Sequence, residues 1–439
     1  MRSNHSLLTG LVLLLLSSAA VALPSIQHWR SAKGAEVYFV ATEGLPIVDA
    51  RLVFTAGSAY DAKQNGVAAL TSALLDQGAA GQTTQQIAER LENVGAQLST
   101  ASSRDLTTLS FRSLSDEKAL ASSWAVLQQV LSQPDFPLTD FQREKERTLL
   151  SIKRREESPG VLAQLALYRE IYGGHPYAKP VRGTSESVAM IERGDLRRFY
   201  QRYYVANNLK LILVGGISRQ QAEQMVAELL ADLPAGEKAM PIAEVAELAE
   251  GKNIHVEYPS QQTHLMYGLP VLKHNDADNY ALYVGNHILG GSGFSSRIVK
   301  EIREERGLAY SAYSYFHPML QKGPFLLGLQ TRNEKLTEAA VAAKKTLLEF
   351  VEQGVSEEEL VAAKKNISGG FALRLDSNKK LLASVASIVA SGVELDYLDR
   401  YLDNIDAVSV ANIQDAFRRR LVVDKMVMVT VGQIKGDTK

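Results

Sequence analysis

The feature that most constrains the fold is an internal duplication. An apolar run that ends in glycine, residues 208–217, resembles residues 424–434. The amphipathic segment 195–204, which precedes the first run, resembles segment 411–421 before the second. Both pairs are offset by about 217 residues, as expected when one structural unit occurs twice in a chain. The sequence therefore predicts two similar domains rather than one core.

A third landmark lies at the same offset. Apolar helical segments at 125–131 and 346–354 are each followed by a second predicted helix. The start of each second helix has the spacing of a capping box, Thr139 with Gln142 and Ser356 with Glu359. Agreement of three landmarks strengthens the duplication beyond what any single match carries.

Each predicted domain mixes strands with helices. Predicted strands lie at 36–41 and 49–55 in the first domain, and at 253–257 and 264–268 in the second. Two strands, then long helices, then a closing strand predict an α+β fold in layers.

The domain limits follow from composition. The N-terminal domain is expected to cover residues 23–233 and the C-terminal domain residues 252–439. Residues 234–251 between them are polar and contain proline and glycine, which predicts an exposed linker.

Residues 1–22 have the pattern of a signal peptide. Arg2 provides the positive start, residues 11–16 are continuously apolar, and residues 20–22 form a small-x-small cleavage site. The run is too short to span a membrane, and no other stretch is apolar for long enough. We expect an exported protein without a membrane span, periplasmic in a Gram-negative organism, whose mature chain begins near Leu23. The chain has no cysteine and therefore no disulfides.

Charge and motifs exclude several function classes. The chain carries 48 lysines and arginines against 49 acidic residues, which gives no electrostatic case for nucleic-acid binding. Its basic runs at 153–155 and 418–420 are predicted to be solvated helix faces. None of the eight histidines lies three or four residues from another, the spacing that places two ligands on one helical face. The chain itself is therefore predicted to hold no metal.

One segment combines a glycine-rich loop, a helix end and a tyrosine-rich strand. A loop rich in glycine and serine, residues 288–296, precedes a helical segment that ends near Gly307, and a tyrosine-rich strand follows at 308–316. Arg303 is expected in the last helical turn and Tyr310 early in the strand. The guanidinium and the phenol could then donate hydrogen bonds to one ligand. Taken alone, they could equally be a solvated charge and a half-buried aromatic ring.

This loop, the run 303–310 (Arg-Glu-Glu-Arg-Gly-Leu-Ala-Tyr) and the strand after it resemble the C-terminal signature of the pitrilysin/insulinase family of zinc peptidases. That family includes the mitochondrial processing peptidase. The resemblance covers essentially the whole mature chain. It implies two homologous α/β-roll domains in tandem, facing each other as a clamshell around a peptide. It also implies that Arg303 holds a substrate carbonyl and that Tyr310 donates a hydrogen bond to the oxyanion.

The resemblance gives the glycine loop a role as well. Its glycines, Gly290, Gly291 and Gly293, match a loop that is longer in the non-catalytic subunit of the processing peptidase, which implies contact with substrate. The same residues could suggest phosphate binding, but the loop lacks the lysine and the hydroxyl residue of a P-loop. A plain hinge is the other alternative.

The zinc motif of the family is absent from this sequence. Active members carry His-x-x-Glu-His in the first domain and a further glutamate downstream. Ala69 and Ala73 stand where the two histidines are expected, and Ser72 stands in place of the glutamate. Ser151 falls in the position of the distal glutamate.

These residues predict a non-catalytic subunit of a heterodimeric zinc peptidase. A homologous partner would hold the zinc, and this chain, which has no cofactor of its own, would supply Arg303 and Tyr310 for the peptide substrate. The alternatives are a metal-free peptide-binding or chaperone-like protein and an enzyme with an unrecognised site.

Overall fold

The computed structural model describes residues 25–433, so the predicted signal peptide, residues 1–22, lies outside the described range. The strands are β1 Gln27–Arg30, β2 Glu36–Ala41, β3 Ile47–Phe54, β4 Gln97–Ser102, β5 Thr107–Leu114, β6 Leu209–Gly215, β7 Lys252–Glu257, β8 Gln262–Leu272, β9 Ala309–Phe316, β10 Gly323–Arg332 and β11 Val427–Gly432. The helices of the N half (residues 25–233) are Val67–Leu74, Thr84–Glu92, Glu117–Ser132, Leu138–Glu156, Pro159–Tyr172, Ser185–Met190, Arg193–Tyr203 and Arg219–Leu229. Those of the C half (residues 252–433) are Asn279–Asn286, Arg297–Val299, Leu336–Gln353, Glu357–Gly369, Asn378–Ser391, Tyr397–Ala407 and Val410–Arg420.

The two sheets repeat one topology. The first has the order β1-β2-β6-β3-β5-β4 and the second the order β7-β11-β8-β10-β9, so the second matches the first without β1. In each half the last strand pairs parallel with one early strand and antiparallel with the next: β6 with β2 and β3, and β11 with β7 and β8. The predicted α+β fold with two similar tandem halves is confirmed.

The two predicted capping boxes had different outcomes. Ser356 and Glu359 form the expected reciprocal pair at the start of Glu357–Gly369. The prediction for Thr139 and Gln142 is wrong, because the helix already begins at Leu138 after Pro137. The hydroxyl of Thr139 therefore lies inside the first turn and cannot serve as the N-cap.

Each half donates a helix to the sheet of the other, and we call Pro159–Tyr172 and Asn378–Ser391 the exchanged helices. The first packs on β8 and β11, where Leu167 joins the apolar face formed by Met266 and Val429. The second packs on β3 and β6 of the N half. Lys210 of β6 donates to the Val389 carbonyl near the end of that helix, at 2.6 Å. Both sheets are therefore covered on two faces, one of them by the opposite half.

The segment 234–251 contains no helix or strand, as a linker should, but it is not wholly exposed as predicted. Ile242 and Val245 are buried beside the first exchanged helix. The Met240 carbonyl accepts a hydrogen bond from the Tyr60 hydroxyl at 3.1 Å. The reason is that apolar side chains spaced along a polar segment can still fill a groove between the two halves.

A buried polar network also joins the halves. The Asp105 carboxyl group accepts hydrogen bonds from the Tyr177 hydroxyl and from the Leu320 backbone N–H, the latter at 2.9 Å. The Tyr177 oxygen in turn accepts from the Gln321 backbone N–H at 3.1 Å.

Among the helices between residues 25 and 433, none is long and apolar enough to cross a bilayer.

Candidate functional site

The helix that matches the zinc motif begins at a buried carboxyl group. Asp61 accepts hydrogen bonds from the backbone N–H groups of Gly66 and Ala68, at 2.6 and 2.8 Å, and so caps Val67–Leu74. Gly66 has φ +104°, a conformation that favours glycine. Burial raises the pKa of Asp61 to about 7, although these hydrogen bonds oppose the shift.

The four positions predicted to replace metal ligands lie around one cavity. Ala69, Ser72, Ala73 and Ser151 all line a cavity of about 640 Å³, which we call the N-half cavity. Helices Val67–Leu74 and Leu138–Glu156 form two of its walls, and residues 98–102 of β4 form a third. The structure therefore brings these four positions together, although they come from two separate segments of the chain.

The residues of the N-half cavity do not fit zinc. Alanine offers no ligand atom, and structural and catalytic zinc sites use cysteine, histidine and carboxylate ligands. Ser72 is 2% exposed, and its hydroxyl has no hydrogen-bond partner within the described range. Residues 25–433 also contain no group of three or more His, Cys, Asp or Glu placed to hold a metal ion.

Arginines surround the N-half cavity, and sequence analysis missed this. Its lining includes Arg143, Arg147, Arg154 and Arg182, against two acidic residues, Asp76 and Glu144. Burial raises the pKa of the Asp76 carboxyl group, which favours its neutral form. The clue in the sequence was helical spacing: positions 143, 147 and 154 share a face with position 151. The prediction that run 153–155 is a solvated helix face does not account for Arg154, because this residue lies on the face of the helix that lines the cavity.

The cavity arginines differ in how they are neutralised. Arg143 lies 2.5 Å from Asp140 and donates to the Gln77 side chain at 3.0 Å. Arg147 lies 3.5 Å from Glu144. Among residues 25–433, Arg154 and Arg182 have no acidic partner within 4.0 Å. Two guanidinium groups at this cavity thus remain unpaired.

The second basic run, 418–420, also departs from the prediction of a solvated face. Arg420 bonds both Asp276 and Asp278, at 2.8 and 2.7 Å, and Arg419 bonds Asp278 at 2.8 Å. These pairs join the helix Val410–Arg420 to the loop before Asn279–Asn286, so the run has a structural role.

The corner that carries Arg303 and Tyr310 forms as predicted. The segment starts as the α-helical turn Arg297–Val299 and continues as a π-helix over Lys300–Glu305. Gly307 has φ +57°, the left-handed conformation expected of a helix stop. Tyr310 then lies in β9, at the edge of the second sheet.

Neither side chain of this pair forms a hydrogen bond or an ion pair within the described residues, and Arg303 instead contacts an aromatic ring. The Arg303 guanidinium carbon lies 4.5 Å from the ring centroid of Phe294 in the glycine loop. Tyr310 is 84% exposed and lies where the pairing of β9 with β10 shifts by one residue. Such a bulge redirects a side chain away from the regular alternation. Between residues 25 and 433, neither side chain has a hydrogen-bond partner.

The glycines of the loop have different surroundings. Gly290 is buried, and a Cβ there would lie 2.6 Å from the Ser314 backbone nitrogen, so β9 requires a glycine. Gly290 and Gly291 line a cavity of about 520 Å³ with Tyr313 and His287, among others. Gly293 is exposed with φ +66° and open space around it. The exposed part of the loop is therefore its second half.

The second cavity is the counterpart of the first. It lies between the helix Asn279–Asn286 and β9, which correspond by topology to Val67–Leu74 and β4. A cavity therefore lies at the corresponding place in each half, and different chemical groups line the two.

Comparison with known proteins assigns both halves to one family. Residues 37–185 match the model described as Insulinase (Peptidase family M16). Residues 191–367 match the model described as Peptidase M16 inactive domain.

Individual relatives agree with this assignment. The protein named non-peptidase homolog YmxG of Helicobacter pylori is 28% identical over 401 residues, 90% of this chain and 90% of that protein. A crystal structure described as a peptidase M16 inactive domain from Pseudomonas fluorescens is 35% identical, with a TM-score of 0.90, and the match covers 93% of this chain and 98% of that one. A protease from Helicobacter pylori shares the fold, with a TM-score of 0.85 at 19% identity over 93% of this chain and 100% of that one.

Proposed function

We propose, from the premise that this chain belongs to the insulinase family of peptidases (peptidase family M16), that it is the non-catalytic subunit of a heterodimeric zinc metallopeptidase. A homologous partner holds the zinc, and this chain contributes substrate-binding residues. One observation carries the proposal: the positions predicted to replace metal ligands are alanine and serine around a single cavity, while the half-buried Arg303 has no acidic partner within residues 25–433 and Tyr310 is exposed.

Arg303 serves as the substrate-binding cation. Its guanidinium has donors in a planar fork that suits carbonyl oxygens. Phe294 holds it through its ring face, which orients the group without neutralising its charge. Arg297 illustrates the opposite case, because it is paired with Glu359 at 2.7 and 2.6 Å and is committed to the fold.

Tyr310 serves as the hydrogen-bond donor to the carbonyl oxygen that becomes negative during hydrolysis in the partner's site. A preorganised donor of this kind lowers the barrier because it interacts more strongly with the developing charge than with the neutral carbonyl. The exposure of Tyr310 suits action across a subunit interface. Gly291 and Gly293 lie near this corner and provide a backbone that a peptide can approach closely.

A second candidate function is metal-free peptide binding without a catalytic partner. The observation that favours it is the N-half cavity beside β4, whose outer edge is unpaired within the described residues. An extended peptide can add to such an edge. Unlike the first candidate, this one predicts that no peptidase depends on the chain.

The experiment that separates the two is reconstitution with the homologous subunit of the same organism that carries His-x-x-Glu-His. The proposal expects a stoichiometric complex by analytical ultracentrifugation and peptide cleavage that requires both chains. A partner that cleaves equally well alone, or that forms no complex, contradicts the proposal and leaves the second candidate.

We also propose that the protein is exported, on the signal-like pattern of residues 1–22. Mass spectrometry of the secreted or periplasmic fraction should find an N-terminus near Leu23. A cytosolic chain that retains Met1 would contradict this.

A further inference from the structure

The N-half cavity has the opposite charge from a metal site. A site for zinc gathers neutral and negative ligands around a dication, whereas here four arginines face two acidic side chains, one of which is shifted toward its neutral form. A concave site with an excess of one charge attracts ligands of the other. The preferred occupant is therefore an anion.

The unpaired arginines define the form of that anion. Arg154 extends from the helix Leu138–Glu156, and Arg182 lies on a separate segment that follows the helix Pro159–Tyr172. Guanidinium groups bind carboxylates through paired N–H donors, and such charge-assisted hydrogen bonds are stronger than neutral ones. Two guanidinium groups on different segments can thus bind one carboxylate from two sides.

The floor of the cavity supplies neutral donors. The Ser72 hydroxyl is buried and without a partner within residues 25–433, although a hydroxyl can both donate and accept. Ser151 lies on the same cavity wall as Arg154. A buried polar group left unpaired costs free energy, so a ligand that accepts from Ser72 would recover it.

A peptide has a direct route into this cavity. Residues 98–102 of β4 line it, and β4 is the edge strand of the first sheet. Alternate side chains of a strand project to the same face, so a peptide paired with β4 would direct every second side chain toward the cavity.

We propose that the N-half cavity binds a carboxylate of a peptide that lies along β4, with Arg154 and Arg182 as the specificity-determining residues. The inference rests on the proposed peptide-binding role and adds the class of peptide to it: one with an acidic group at a defined position. The degenerate metal site is then a recognition site for anions rather than a remnant.

Calorimetry with short synthetic peptides tests this on the mature chain. The set has a background of valine, threonine and serine with one glutamate at successive positions, and each member has a glutamine counterpart. All are amidated, and a matching all-neutral peptide is prepared both amidated and with a free C-terminus. Comparison of these peptides distinguishes binding of a glutamate side-chain carboxylate from binding of the C-terminal carboxylate.

At one position, we expect glutamate to bind about tenfold more tightly than glutamine, as charge-assisted pairing with two arginines implies. The double variant Arg154→Gln/Arg182→Gln should lose this preference and retain binding of the glutamine peptide. Lys153→Gln is the matched control, since Lys153 is exposed on the same helix and does not line the cavity. Arg154→Glu/Arg182→Glu should instead prefer a lysine at that position.

The outcomes separate the two levels of the argument. Equal binding of glutamate, glutamine and free-acid peptides, or a preference that survives the double variant, overturns the cavity proposal while the peptide-binding role stands. If no peptide binds, the peptide-binding role fails and the cavity proposal fails with it. A preference confined to the free C-terminus assigns the carboxylate to the end of a chain.

Discussion

The guanidinium of Arg303 is stacked on the ring of Phe294, 4.5 Å from its centroid, and has no acidic partner in the part of the chain that the structure describes. This contact links the end of the helical segment to the glycine loop. The loop, by lying under the arginine, sets the direction of a charge that the fold otherwise leaves unused.

The stacking predicts an effect of Phe294 on substrate binding. Phe294→Ala should raise the KM of the reconstituted complex about threefold with little change in kcat, because an exposed cation–π contact contributes about 0.5–1 kcal/mol. Phe294→Tyr keeps the ring and is the control. Steady-state kinetics on one peptide measure both. An unchanged KM in the alanine variant would show that the stacking does not orient Arg303.

The cavity chemistry predicts that the mature chain alone binds no stoichiometric zinc and cleaves no peptide. Alanine at positions 69 and 73 supplies no ligand, and the arginines repel a dication. Elemental analysis of the purified chain, with the zinc-bearing partner as positive control, measures this. One equivalent of tightly bound zinc in the isolated chain would refute it.

The exchanged helices predict that the two halves unfold together. Leu167→Ala removes a fully buried side chain that packs on the C-half sheet, and should cost about 2–5 kcal/mol in the free energy of unfolding. Both tryptophans, Trp29 and Trp124, lie in the N half, so their fluorescence reports on that half alone. In this variant, the unfolding transitions followed by tryptophan fluorescence and by far-UV circular dichroism should both move to the same lower midpoint.

Val341→Ala is the control for this variant, because Val341 is 64% exposed on Leu336–Gln353 and its truncation should change the midpoint little. Separate transitions for fluorescence and circular dichroism would mean that the halves fold independently.

Much of this fold can be predicted from the sequence, but the packing of each exchanged helix on the sheet of the opposite half cannot. The offset between residues 208–217 and 424–434 identified the closing strands, β6 and β11, and with them the repeated unit. The spacing of apolar residues shows that the helix Asn378–Ser391 has an apolar face. It does not indicate which of the two sheets that face covers. The buried Ile242 in the linker was missed for the same reason.

The residues of the candidate site also differ in how far the sequence predicts them. Positions 69, 72 and 73 were predicted together because one motif fixes their spacing, whereas position 151 came from the match of a separate segment. Arg303 and Tyr310 were predicted as a pair because a glycine turn joins the helix end to the strand. Arg182 could not be found, since only the tertiary fold brings its segment to the helix Leu138–Glu156.

Acid should destabilise the protein through His274. Burial, with His317 and Lys210 nearby, lowers the pKa of His274 to about 4. The unfolded chain binds this proton near pH 6.5 and the folded chain only near pH 4. Stability is therefore fully present above pH 6.5 and is lost as pH falls toward 4, by about 3 kcal/mol for this group.

Thermal or urea unfolding between pH 7 and 4.5 measures the loss. His274→Gln retains a hydrogen-bonding side chain beside the Ser391 hydroxyl, 3.1 Å away in the wild type, and should flatten the pH dependence. Burial also lowers the pKa of His264, His287 and His317, so part of the slope should remain. Identical slopes for wild type and variant would contradict the assignment to His274.

The central claim is that this chain completes the active site of a zinc-bearing partner, and Tyr310→Phe in the reconstituted complex tests it most directly. The change removes one exposed hydroxyl and should leave folding and assembly intact. Loss of one oxyanion donor lowers kcat by about 10²–10³ in known cases, and solvent at an exposed site softens the effect, so we predict a fall of about tenfold or more. Arg303→Ala, measured in parallel, should act mainly on KM. If both variants assemble and cleave at the wild-type rate, the chain does not supply these groups to catalysis, and its role is structural or confined to peptide binding.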